Sequence, residues 1–298
     1  MAYGSAVFQQ TNHDARSSMV DLVLAVDDAR AWHEQNLARH PHHYSMLQYC
    51  GAAAVADFQE TWGAGVYYNT MVPLTGPLLG TRLVKYGVVS TRTLLEDLTH
   101  WKTLYLSGRM HKPVAILATN ECMQAAASTN LSHALHYALL CLPETFSEHE
   151  LYMKIAGISY LGDFRMTFGE NPKKVRNIVD GNVKAFQELY RRNIQNSPFM
   201  SRSVSDVDTL VANTANSDVR QSIVEALPSN VLRRLAAKSH ARGPHAHQPV
   251  TKKQLQRVIA SIVFRSSRSQ SIKGIATAGG VKSILYVAQK LKRTWSSK

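Results

Sequence analysis

The sequence has no run of about 18 or more consecutive apolar residues, so a transmembrane helix is not expected. It has no basic segment leading into an apolar one at its start, so it does not read as carrying a signal peptide. It is poor in cysteine: Cys50, Cys122 and Cys141 are widely spaced and form no CxxC pair. They read as reduced packing thiols, which argues against a disulfide framework or a zinc ribbon. There is no GxSxG, no Walker loop and no GxGxxG, which leaves hydrolase and ordinary kinase chemistry without support. His13, His33, His42 and His43 show no metal-like spacing with a third ligand, and His240, His245 and His247 sit in a Gly/Pro loop, so no transition metal is expected.

Acidic residues are missing from one quarter of the chain. From Ala226 to Lys298 there are fifteen lysines and arginines and no Asp or Glu. The overall net charge of +13 therefore belongs to that quarter, because the first 225 residues carry nineteen basic against twenty-one acidic side chains. Such a block reads as a surface for an anionic membrane, a nucleic acid or an acidic partner.

What is present is a core: 298 residues at 45% hydrophobic content suffice for one large domain or two ordinary ones. The first residues, MAYGSAVF, form a short apolar run broken at Gly4-Ser5, and 19–26 is a second strand candidate, apolar but for Asp21. Segments 63–72 and 82–90, rich in Val and Tyr, are further strands. Leucines and aromatics at helical spacing predict a helix over 91–108, and Pro113 opens a short strand, VAIL. A helix is expected over 120–142, and Ser147 with Glu150 is a capping box opening a helix through about Gly157. Residues 157–168 read as a strand or hairpin, with Asp163 and Arg165 on one face. A helix follows Pro172-Lys173-Lys174 and includes residues Val175 to Leu189; periodicity is weak over 191–250, with a linker near 239–250. KKQLQRVIASIVF (252–264) is a further helix. In the tail, Val281, Ile284, Leu285, Ala288, Leu291 and Trp295 share one helical face opposite Lys282, Gln289, Lys290 and Arg293, while Lys292 would have to snorkel. That is the pattern of a helix lying in a membrane interface, or of one docked on the protein's own core.

A strand, a Gly-Ser turn and a second strand with an early carboxylate are the minimal parts of a nucleotidyltransferase site. Gly4 lets backbone approach a triphosphate, exposed N–H groups and the Ser5 hydroxyl hold its oxygens, and Asp21 would hold Mg²⁺. An acidic side chain inside an apolar strand is costly unless it is used or paired. Asp163 offers a second metal-facing carboxylate and Arg165 a phosphate-binding guanidinium, the alternative being a structural ion pair. Lys85 and Lys174 are candidate phosphate contacts.

Several motifs in order resemble those of one family: YGSAVFQQ (3–10), DLVLAVDD (21–28) with AWH and Asn36, HYS (43–45), GAGVYYN (63–69), RLVKYGVVS (82–90), LPETFSE (142–148), AGISYLGDFRM (156–166), KVRNIV (174–179) and SIKGIATAG (271–279). Together they resemble the mitochondrial translocator assembly and maintenance protein family over nearly the whole chain. The resemblance implies a Mg²⁺-dependent phosphatidate cytidylyltransferase that takes CTP and phosphatidic acid. It would work peripherally on the matrix side of the inner mitochondrial membrane and feed cardiolipin synthesis. It also implies an α+β fold: a nucleotidyltransferase-like mixed-sheet domain (1–118), a mostly helical, winged-helix-like domain contributing Asp163 and Arg165 (119–238), and a basic membrane-binding region with an amphipathic helix (239–298). By position, Gly4-Ser5 matches the phosphate turn, Asp21 the metal carboxylate, and Asp163 with Arg165 the GD-x-R element. The wider nucleotidyltransferase pattern places a second carboxylate two residues after the first, where this chain has Val23, so Asp163 is the expected supplier. Met1 falls inside the first core strand, so an upstream segment and presequence are expected to lie outside this chain.

Two other functions fit parts of the pattern. An RNA nucleotidyltransferase would want stacking aromatics in the basic quarter, which holds only Phe264, Tyr286 and Trp295, so no nucleic acid partner is expected. A non-enzymatic membrane assembly factor would not need the carboxylates.

Overall fold

The computed structural model describes residues 1–4, 7–8, 19–76, 80–167, 171–204, 206, 208–240 and 249–278. Ser5 and the whole of 281–298, including Lys282, Ile284, Leu285, Lys290, Leu291, Arg293 and Trp295, lie outside them, as does 241–248 of the expected linker.

The fold is mixed α+β, and no helix among the described residues is long and apolar enough to cross a membrane. Its first sheet has the order β1-β2-β4-β3, with β1 Ala2–Tyr3, β2 Val20–Val26, β3 Val66–Gly76 and β4 Gly80–Ser90. Between β2 and β3 run α1 (Ala29–Arg39) and α2 (Gly51–Thr61). The sheet's register decides what meets what. β1 lies antiparallel to β2, with Tyr3 opposite Asp21, and β2 lies parallel to β4, with Asp21 beside Lys85. Because side chains alternate along a strand, β4 turns Lys85 to one face and Tyr86 to the other. On the Asp21 face, Val23, Val66, Tyr68 and Val89 pack under α3 (Thr91–His100). On the other, Val84, Tyr86 and Val88 pack with Val20, Leu22 and Trp32 of α1.

The helix expected over 91–108 is two pieces. α3 ends because Trp101 takes a left-handed φ of 51° and is fully buried, its indole N–H donating to Asn130 Oδ1 at 2.8 Å. A loop then leads to the single-turn α4 (Ser107–Met110). That loop is gathered by Asp97, whose Oδ1 accepts from Thr103 N, Thr103 Oγ1 and Leu104 N. Its Oδ2 accepts from Leu106 N, Ser107 N and Ser107 Oγ, and all six bonds span 2.7–3.0 Å. The VAIL strand reduces to an isolated bridge from Ala2 to Ala115.

α5 (Glu121–Cys141) and α6 (Glu148–Gly157) follow as expected, with the Ser147–Glu150 capping box formed on both sides, and between them lies a short strand the sequence reading did not foresee, β5 (Thr145–Ser147). Residues 157–167, the described part of the segment expected as a strand or hairpin, are not a strand. A 3-10 turn (Ile158–Tyr160) leads through a bend at Leu161-Gly162 into the short α7 (Phe164–Thr167). Gly162 explains the difference: its φ is +78°, and a Cβ there would meet Ala260 O at 2.7 Å, so the chain turns sharply instead of extending. The helix expected through Leu189 breaks at Gly181-Asn182 into α8 (Lys174–Asp180) and α9 (Val183–Gln195). β6 (Met200–Arg202) and β7 (Thr209–Ala212) join β5 in a small antiparallel sheet of order β5-β7-β6. α10 (Ser217–Glu225), α11 (Ser229–His240) and α12 (Lys252–Ala278) complete the described elements, and the largest core cluster joins α5, α6, α9 and the first half of α12.

Candidate active site

Two carboxylates and five cations meet where the Asp21 face of the sheet abuts α4, α7 and the start of α8. Gly4 ends β1 with φ +84°, and a Cβ there would lie 3.1 Å from Asp21 Oδ2, so only glycine lets the turn backbone sit against that carboxylate. Lys85 Nζ stands 3.9 Å from Asp21 Oδ1, an ion pair too long to be a hydrogen bond, and 4.5 Å above the Tyr68 ring. Burial raises the Asp21 carboxyl above its ordinary pKa, while the charges of Lys85, Arg109 and Lys174 pull the other way. Its side chain keeps 27% exposure, enough to meet a ligand.

Arg109 is the link between the two halves of the site. Its guanidinium lies 3.9 Å from the centre of the Tyr105 ring and 5.4 Å from that of Tyr3, and its Nη1 donates to Tyr105 O at 2.5 Å. Its charge acts on both Asp21 and Asp163. Tyr105 would be raised by burial, but Arg109, Lys85 and Arg165 together bring its phenol below the ordinary value.

Asp163, only 3% exposed, is held by Arg165: Nε reaches both oxygens at 3.1 and 3.2 Å, Nη2 reaches Oδ2 at 2.6 Å, and the Arg165 backbone N–H donates to Oδ1 at 2.9 Å. Burial alone would raise this carboxyl; the Arg165 bonds and charge hold it below the usual carboxylate range. Lys112 donates to Gly108 O and to Ser159 Oγ at 2.9 Å, and burial, reinforced by Arg109 and Arg165, pushes it down to about 7.

The structure thus gathers Gly4, Asp21, Lys85, Asp163, Arg165 and Lys174 in one neighbourhood, and Ser5 and the tail residues lie outside the described part. Sequence reading missed Arg109, Lys112, Tyr3, Tyr68 and Tyr105. Within SGRMHK (107–112) the two cations read as solvated charges; a Gly-Arg pair next to Asp97's loop was the only cue.

The residues present fit a hard divalent cation such as Mg²⁺, which is commonly held by one or two carboxylates together with substrate phosphates. The Asp21 side chain is partly exposed and lies against Gly4, and its ion-pair partner Lys85 stands beyond hydrogen-bonding distance. Asp163 has both oxygens engaged by Arg165, so an ion could share it only if Arg165 changed partner.

Comparison with known proteins bears out the resemblance read from the motifs. The family model described as "Phosphatidate cytidylyltransferase, mitochondrial" matches residues 1–293. A Xenopus laevis protein of that name is 43% identical over 304 residues, covering 97% of this chain and 88% of the relative. The Danio rerio protein of that name is 42% identical, covering 99% and 89%, and the Schizosaccharomyces pombe one 37% identical, covering 100% and 80%. The chain therefore belongs to the mitochondrial phosphatidate cytidylyltransferase family, a family of nucleotidyltransferase enzymes.

Proposed function

We propose that the protein transfers the cytidylyl group of CTP to phosphatidic acid, forming CDP-diacylglycerol and pyrophosphate. One observation carries the proposal: Asp21 abuts the Gly4 turn and lies in the field of Lys85, Arg109 and Lys174, a cradle for polyphosphate. In this reading the first sheet is a nucleotidyltransferase-like domain and the helical remainder, with its small sheet, a winged-helix-like one. The site lies where they face each other.

Two anions must be brought together. A phosphate monoester is largely ionised at neutral pH, its second pKa being about 6, so an oxygen of phosphatidic acid can attack without a general base. That oxygen forms a bond to the α-phosphorus of CTP as the bond to pyrophosphate breaks in line. Mg²⁺, when bound, supplies charge neutralisation between the nucleotide phosphates. Asp21 would hold it. The N–H groups of the Gly4-Ser5 turn and the Ser5 hydroxyl would orient the phosphate tail, and Lys85 and Lys174 would flank it. Arg165, held by Asp163 through Nε and Nη2, would present its remaining N–H groups to the lipid or nucleotide phosphate. Arg109, wedged between tyrosine rings, would act as a fixed positive charge.

Phosphatidic acid stays in its bilayer, so the enzyme must come to the surface, and the basic C-terminal quarter supports that placement. The location implied is the matrix face of the inner mitochondrial membrane, and the product would feed cardiolipin and phosphatidylglycerol synthesis.

The test is incubation of the full chain with CTP, Mg²⁺ and phosphatidic acid liposomes, with CDP-diacylglycerol as the readout. The wild type is expected to form it and Asp21→Asn to lose at least ~100-fold of the rate, the loss of a metal ligand being worth several kcal/mol. Full activity in Asp21→Asn would remove Asp21 from the site.

A further inference from the structure

On the opposite face of β4 from Lys85, three imidazoles converge. His40 precedes a 3-10 turn, Pro41–His43, in which Pro41 sits at the first position and fixes its own φ. The His43 N–H donates to His40 O at 3.1 Å and closes the turn. One ring nitrogen each from His40, His42 and His43 lies within 4.8 Å of the others. The His40 and His43 rings stack with centroids 4.8 Å apart, and the His42 ring meets His43 edge-on at 4.5 Å. His40 and His42 are exposed and His43 half-buried, so the group opens to solvent on one side.

A second observation sets this apart from a chance cluster of surface histidines. His43 is anchored from behind, its Nδ1 lying 2.7 Å from Tyr86 Oη. Tyr86 Oη also accepts from Asn36 Nδ2 at 2.9 Å, and the same amide donates to Tyr44 Oη at 2.9 Å. Tyr44 Oη in turn meets the buried His33 Nδ1 at 2.8 Å, while His33 Nε2 donates to Gln59 Oε1 at 2.9 Å. With Nδ1 bonded to Tyr86, Nε2 is the ring nitrogen that His43 would offer an ion. Metal-binding histidines are commonly oriented in this way, by a partner on the other ring nitrogen.

We infer that His40, His42 and His43 form a three-imidazole site for a borderline divalent transition ion, Zn²⁺ being the representative, with water completing its shell. In the ion-bound tautomer His43 Nδ1–H donates to the Tyr86 oxygen and Nε2 binds the metal. Tetrahedral Zn–N bonds of about 2.0–2.1 Å place ligand nitrogens roughly 3.4 Å apart. The gap is closed by rotating the two exposed rings, His40 and His42, towards the anchored one. Imidazole suits Zn²⁺, Cu²⁺ and Ni²⁺, whereas Mg²⁺ takes oxygen ligands. The site is therefore chemically distinct from Asp21, on the other side of the sheet.

The experiment uses the full chain without a histidine tag, stripped with a chelator and titrated with Zn²⁺ by calorimetry in excess Mg²⁺; Co²⁺ absorbance reports the ligand field. One equivalent of Zn²⁺ is expected to bind and to resist Mg²⁺. The double variant His40→Ala/His42→Ala, at two exposed positions with folding checked by circular dichroism, should lose affinity by at least ~100-fold, two of three ligands being gone. Tyr86→Phe should weaken binding by about 10-fold, as loss of an outer partner does, and Asp21→Asn should leave it unchanged. Undiminished binding in the double variant, no saturable binding by the wild type, or loss only on replacing His245 and His247 would each overturn the inference.

Discussion

Asp97 shows what a single buried carboxylate can organise. It is 3% exposed and accepts six hydrogen bonds from the loop that carries the chain from α3 to α4, and so to Arg109 and Lys112. Asp97→Asn keeps one acceptor oxygen but aims an NH₂ at three donors. Leaving donors unmet in a buried place costs about 2–4 kcal/mol, and urea denaturation should show that loss with an unchanged m-value. At this scale the sequence was readable only where a residue was out of place. Asp21 inside an apolar strand and the Asp163–Arg165 pair were visible for that reason. Arg109 was not, because its role comes from Tyr3 and Tyr105, which the fold brings over it from β1 and from the loop before α4.

Among the elements, α12 ties the two halves of the molecule together. Leu255, Val258, Ile259, Ile262 and Val263 join the large helical core, and further along the same helix Gln270 and Lys273 reach the first sheet. Gln270 accepts from Ala64 N at 3.0 Å and donates to Val66 O at 3.1 Å. Lys273 is fully buried and donates to Gln59 O at 2.9 Å and Trp62 O at 2.7 Å, where α2 ends. Burial pushes its ammonium down to about 7, Glu60 opposing. An unfolded lysine titrates near 10.4, so between about 7 and 10 the unfolded chain binds more protons and stability rises with pH. The melting temperature of the wild type should climb from pH 7 to 9 relative to Lys273→Met; parallel curves would refute it. The strands β2, β3 and β4 and the capped α6 were legible because apolar runs and a capping box are local signals. Residues 157–168 misled because Asp163 and Arg165 alternate with apolar neighbours, the period of a strand, while Gly162's positive φ turns the chain. The reach of α12 beyond Phe264 escaped because a polar stretch, RSSRSQS, interrupts its apolar face.

For the molecule as a whole, charge separates from fold. A near-neutral first three quarters holds the candidate site, and in the proposed reading the basic quarter supplies the membrane-facing surface. Each lysine or arginine near an anionic bilayer contributes roughly 1 kcal/mol, screened by salt. Removing 281–298, with its five cations, is expected to weaken liposome binding at least ~100-fold. CTP binding should hardly change. Cosedimentation with phosphatidic acid vesicles checks this, and equal sedimentation of the shortened chain would end the tail's proposed role. The pinning of α12 at both ends has a mechanical corollary. A 27-residue helix is about 40 Å of stiff rod, and its last turns are bolted to the sheet that bears Asp21. A grip near Ala278 would therefore steer the candidate site like a rudder post, aiming it instead of leaving it to swivel.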